Sequence, residues 1–155
     1  MHTVKDLLDA KGRTVWTVHP DNWVYDAITL MADKEVGALM VAENEIPVGL
    51  ISERDYARKV ILKDRSSRST RVSEIMASHI IFAREHQTVE ECMAVMTARR
   101  IRHLPVLRHS RLAGIISIGD LVKTIIAEKQ FIIEQLAHYI HGEASPLATS
   151  DPRHW

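Results

Sequence analysis

The chain of 155 residues has one cysteine, Cys92, so no disulfide forms within it, and a reducing compartment, the cytoplasm, is the expected location. Net charge is lacking as well. Twenty basic and twenty acidic residues cancel, leaving no global field to draw nucleic acid or an anionic membrane, so any anion site must be local. No apolar run approaches the ~18 residues of a membrane-spanning helix. Between Met1 and Arg13 charges recur every few residues, and no signal peptide is expected there. Catalytic signatures are missing too: none of the nine histidines stands in a His-Glu-x-x-His pattern or beside a nucleophile partner. An enzyme is therefore not expected. His138 and His141, one turn apart, are too few ligands to predict a metal site.

What is present suits a folded domain, with 46% apolar and 26% charged residues. The organising feature is an internal repeat. At an offset of 65, residues 18–61 superimpose on 83–126 without a gap, and nine positions are identical, among them Val24/Val89, Gly49/Gly114, Ser52/Ser117 and Asp55/Asp120. Upstream the offset becomes 68, so the first repeat carries about three extra residues near Lys11-Gly12-Arg13. Val24, Ala27, Ile28 and Met31 are spaced as one face of a helix, as are Val89, Cys92, Met93 and Met96. Asp21 or Asn22 is the expected cap of the first, and Thr88 with Glu91 forms a capping box for the second. Each helix is followed by a strand pair, 38–42 with 48–51 and 104–107 with 113–116, and then by a closing helix, over 53–62 and from 119 to about 139. The unit is β-α-β-β-α, an α+β class. Half-size units bury too little alone, so two copies must pack together.

Each second strand runs into Gly-apolar-apolar-Ser-x-x-Asp: Gly49 to Asp55, and Gly114 to Asp120. The Gly permits close approach of backbone or a flat ligand. The Asp, one turn into a helix, suits the vicinal hydroxyls of a ribose, and the helix start suits a phosphate. Ser-x-x-Asp is equally a capping box. Two copies at matching repeat positions favour the ligand role.

The repeat length, the element order, this signature and the segment Ile101-Arg102-His103-Leu104-Pro105-Val106 resemble the CBS (cystathionine beta-synthase type) domain pair, over residues 4–126. The resemblance implies a stand-alone Bateman module, a disc of tandem CBS domains with pseudo-twofold symmetry, often paired as a homodimer. It implies domains at 1–62 and 72–141, the latter with an extended helix, joined by a solvated linker at 63–71 and followed by a flexible tail at 142–155. Implied ligands are AMP, ADP, ATP, NAD(H) or S-adenosylmethionine, bound in two clefts between the repeats. One cleft is expected to hold Asp120, Ser117 and Arg102 against Asn22, Ala27, Val36 and Arg54; its two arginines rank it as the better phosphate site. The other is expected to hold Asp55, Ser52 and Gly37 against Gln87, Cys92, Ile101 and Gly119, with His103 nearby. Met40, where the second repeat has Pro105, breaks their equivalence. The expected function is a regulatory nucleotide sensor acting on a separate partner protein, with no nucleic acid and no membrane involved. The alternative is a ligand-independent dimerisation scaffold built on the apolar residues of the last helix.

Overall fold

A computed structural model describes residues 2–141; the tail expected over 142–155 and the side chain of His141 lie outside the described residues. The first repeat contains α1 (Val4–Lys11), β1 (Thr17–Val18), α2 (Val24–Lys34), β2 (Ala38–Glu43), β3 (Ile46–Ser52) and α3 (Glu53–Lys59). A 3-10 turn, Ile61–Lys63, closes it. The second contains α4 (Val72–Ile75), β4 (Ala83–Arg84), α5 (Val89–Arg99), β5 (His103–Arg108), β6 (Arg111–Ser117) and α6 (Ile118–His141). Each repeat builds one three-stranded sheet, in the orders β1-β2-β3 and β4-β5-β6. The outer pair is parallel in each, β1 with β2 and β4 with β5, and the hairpin pair is antiparallel. The hairpins turn at Asn44-Glu45 and His109-Ser110, all four with positive φ, as a tight two-residue turn requires. The expected β-α-β-β-α order is present in both repeats.

The cores are crossed. Val4, Leu7 and Leu8 of α1 are buried with Val89, Met96, Leu104 and Ile116 of the second repeat. Val72 and Ile75 of α4 are buried with Val24, Met31, Leu39 and Ile51 of the first. The two signature glycines make this possible: a Cβ on Gly114 would lie 2.7 Å from Leu8 Cδ2, and one on Gly49 would lie 2.5 Å from Met76 Sδ. The backbone crosses in the same way. Val4 N–H donates to Gln87 O, and Val89 N–H to His2 O, both near α1 and α5 starts. Val24 N–H donates to Thr70 O, and Val72 N–H to Asn22 O.

These long-range bonds correct the expected cap of α2. Its N-cap is Trp23, with no side-chain bond. Asn22 Oδ1 instead accepts from His19 N, and Val24 and Tyr25 donate to Thr70 O and Ser67 O. Residues 63–71 are thus tied down: Thr70 is buried and its hydroxyl donates to Ser66 O, while Arg68 and Arg71 lie over the rings of Tyr25 and Trp23. Thr88 does cap α5, accepting from Glu91 N at 3.1 Å; the Glu91 carboxylate returns to the Thr88 hydroxyl rather than to its N–H. The closing helix of the first repeat stops at Lys59 rather than Leu62, where Val60 turns into the core. α6 is 24 residues long, about 36 Å by its rise. Its base is anchored by buried Leu121, while Phe131, Leu136 and Tyr139 are exposed. No helix among the described residues is long and apolar enough to cross a membrane.

Candidate functional site between the repeats

The signature Ser and Asp sit where β3 enters α3 and where β6 enters α6. The capping role is present in both. Asp55 Oδ2 accepts from Ser52 N at 3.0 Å and from Ser52 Oγ at 3.1 Å, and Asp55 N donates to Ser52 Oγ. Asp120 Oδ2 accepts from Ser117 N at 2.8 Å, and Asp120 N donates to Ser117 Oγ. Neither carboxylate is consumed by this, because each has about four acceptor positions. Their side chains are 17% and 20% exposed, so neither points into bulk water. Each also meets one lysine. Lys59 Nζ lies 3.1 Å from Asp55 Oδ1. Lys11 Nζ donates to Asp120 Oδ2 at 2.5 Å and to Ile115 O at 2.7 Å. Burial acts to raise the Asp120 pKa, but the Lys11 ammonium and the Ser117 donors outweigh it and hold the carboxyl below its ordinary range.

Both aspartates line cavities. The Asp55 cavity, of about 380 Å³, brings Ser52, Arg54, Asp55, Arg58 and Lys59 of the first repeat against Arg100, Ile101, Arg102 and His103 of the second. The Asp120 cavity, of about 300 Å³, brings Ser117 and Asp120 against Lys11, Trp16, Glu35 and Val36. Gly37 and His103 line both. Each cavity therefore takes its Ser-x-x-Asp from one repeat and the approach to the first hairpin strand from the other.

That crossing corrects the expected division of arginines. Arg102 was expected beside the Asp120 of its own repeat, but the segment before β5 faces the other repeat, so Arg102 lines the Asp55 cavity. Arg54 stays beside its neighbour Asp55, and its guanidinium reaches Arg100 O at 3.4 Å. The paired arginines, Arg54 and Arg102, therefore line the cavity of Asp55. Ser52, Gly37, Ile101 and His103 line the cavity with Asp55, and Ser117 and Val36 line the one with Asp120.

Asn22, Ala27 and Gln87 line neither cavity. Ala27 is in the core on the buried face of α2, Asn22 is spent on His19 N, and Gln87 Oε1 accepts from Arg84 N. Cys92 is also core; burial, aided by Glu91, pushes its thiol up to about 11, so it is inert. Gly119 lines neither cavity and lies beside Ser117. Sequence reasoning missed Arg58, Lys59, Arg100, Lys11, Trp16 and Glu35. Lys59 had a signal, since it follows Asp55 by four residues in one helix.

Comparison with known proteins shows the family and the fold. The CBS domain family profile matches residues 4–62 and 72–127. The CBS domain-containing protein CBSX3 of Arabidopsis thaliana, a mitochondrial protein, is 37% identical over 150 residues, covering 90% of this chain and 72% of that one. A solved CBS-domain protein from Burkholderia ambifaria is 52% identical with a TM-score of 0.79, covering 81% of this chain and 94% of its own. The CBS domain pair of protein MJ0100, solved with 5′-methylthioadenosine and S-adenosyl-L-methionine, shares the fold at 22% identity and a TM-score of 0.73, covering 83% of this chain and 98% of that one. CBS-domain pairs are regulatory modules rather than catalysts. Two family matches laid on two three-stranded sheets with exchanged helices lead to one assignment: the chain belongs to the CBS-domain family, as a tandem CBS pair or Bateman module.

Proposed function

We propose that the chain is an adenosine-nucleotide sensor that holds its ligand between the repeats and passes the bound state to a partner protein. The observation that carries the reading is the Asp55 cavity: a half-buried carboxylate, an apolar wall of Ile80, Ile81 and Ile101, and five basic side chains around one space. A cavity of this size lies in the range that takes small ligands. The ribose hydroxyls would donate to Asp55, the base would lie on the isoleucines, and Arg54, Arg100 and Arg102 would receive the phosphates. Ser52 positions Asp55 through its own two bonds. The MJ0100 pair, which holds two adenosine derivatives, shares only the fold with this chain, so it supports a cleft of adenosine size and not a choice among AMP, ADP, ATP, NAD(H) and S-adenosylmethionine.

A ligand that touches both repeats favours the arrangement it contacts best, and only that difference in affinity can move a partner. Calorimetry on the full chain with AMP, ATP, NADH and S-adenosylmethionine is expected to show at least one Kd tighter than about 1 mM. Asp55→Asn keeps the acceptor for Ser52 N but loses the charge, and is expected to weaken that binding about tenfold. A blank with all four, together with a stable dimer in sedimentation, would leave the scaffold reading, which the exposed Phe131, Leu136 and Tyr139 of α6 support.

A further inference from the structure

The two cavities are related by the repeat yet differ in charge. With histidine neutral, five cationic side chains face two carboxylates, Glu53 and Asp55, in the Asp55 cavity. In the Asp120 cavity one cation, Lys11, faces two carboxylates, Glu35 and Asp120, and that cation is bound to Asp120. The contrast is sharpest at one pair of positions. Glu35 and Arg100 are separated by the repeat offset of 65, and each ends its helix in the left-handed conformation, at φ 55, ψ 44 and φ 54, ψ 42. Same backbone, same place on the rim, opposite sign. A carboxylate at a helix C-terminus opposes the helix dipole, whereas an arginine there complements it. Local stability therefore does not account for Glu35. The walls differ too, since Trp16 of the Asp120 cavity corresponds to Ile81 of the other. The Lys34 ammonium lies over one face of the Trp16 ring, 4.5 Å from its centroid, and an indole's other face offers a purine a stacking surface.

We propose that Glu35 and Arg100 sort ligands by charge: the Asp55 cavity takes the polyphosphate of a nucleotide, and the Asp120 cavity takes an adenosine ligand without phosphate, uncharged or cationic. This rests on the adenosine reading above and adds which class each cavity accepts. A polyphosphate entering the Asp120 cavity would meet Glu35 and would have to part Lys11 from Asp120. An uncharged ribose meets neither obstacle, because Asp120 Oδ1 makes no hydrogen bond among the described residues and stays available to it.

Inorganic tripolyphosphate and adenosine, titrated separately into the full chain and followed by amide proton–nitrogen spectra, test the two parts. Tripolyphosphate is expected to move Ser52, Arg100 and Arg102 and to leave Ser117 and Val36 in place, with affinities for the two cavities about tenfold or more apart. Adenosine is expected to move Ser117 and Val36. Glu35→Arg, which copies the second repeat at an exposed site, should bring Ser117 and Val36 under tripolyphosphate control, and Glu35→Gln should do so more weakly. Tripolyphosphate that fills both cavities alike in the unmodified chain, or Glu35→Arg that recruits none to the second, overturns the sorting even where adenosine binds. Sorted tripolyphosphate with no response to adenosine in either cavity removes the adenosine reading, and with it the ligand class named here.

Discussion

His103 shows how much one side chain can carry in this molecule. Its imidazole lines both cavities, over the open space that Gly37 leaves beside it. Burial, and after it the Lys11 charge, lowers its pKa from the ordinary 6.5, with Asp120 pulling the other way. Well above pH 6.5 the ring is neutral in both folded and unfolded chains and titration contributes nothing. As the pH falls from there to the lowered folded value, the unfolded chain takes up a proton that the folded chain resists. Stability is therefore lost on acidification and levels off below the folded pKa. His103→Gln removes this component, so urea midpoints of the two proteins should converge as pH falls from about 7.5 to 5 if the glutamine is the less stable, and diverge in its favour otherwise. A difference between them that does not change with pH would contradict the assignment. The residue scale is also where the sequence was most and least legible. Ser52, Asp55, Ser117 and Asp120 could be found because the signature occurs twice. The owner of Arg102 could not, because a sequence offset does not show that the approach to each hairpin faces the opposite repeat.

The helices teach the same lesson through their first turns. Thr88 and Glu91 are three residues apart, so this cap is written locally and was legible. The start of α2 is satisfied by Thr70 and Ser67 carbonyls some forty residues away in sequence, and no side-chain pattern marks such bonds. Asp21 and Asn22 have the residue types of caps, but the Val24 and Tyr25 N–H groups already have partners. Thr88→Ala is accordingly expected to cost about 1 kcal/mol. Asp21→Ala, at an exposed position without a cap role, should stay within about 0.5 kcal/mol of the unmodified protein. Denaturant midpoints of both variants check the contrast, and an Asp21→Ala loss as large as that of Thr88→Ala would restore the local cap. The early end of α3 has a tertiary cause of the same kind, since Val60 is buried at the point where helical periodicity alone would have carried on to Leu62.

At the scale of the whole molecule, exchange of α1 and α4 decides how the chain unfolds. Were each repeat to own its core, damage to one would leave the other folded to a first approximation. Instead Val4, Leu7 and Leu8 of α1 lie in the second core while their chain continues into β1 of the first, and α4 reciprocates with Val72 and Ile75. Leu8 is fully buried against the second repeat, with Gly114 making room for it. Leu8→Ala should cost about 2–5 kcal/mol, the range for an emptied core site. The described indoles, Trp16 and Trp23, both belong to the first repeat, and Trp155→Phe removes the third, which lies outside the described residues. In that background, tryptophan fluorescence reports the first repeat and far-ultraviolet dichroism reports both. Crossed cores require the two transitions to coincide before and after Leu8→Ala, and to move together, although the substitution is in the second core. A fluorescence midpoint that stays in place while the dichroism separates into two steps would mean that the repeats are energetically separate. The same coupling is what a sensor of this construction needs, because a ligand bridging both halves can bias a partner only if the halves do not yield independently.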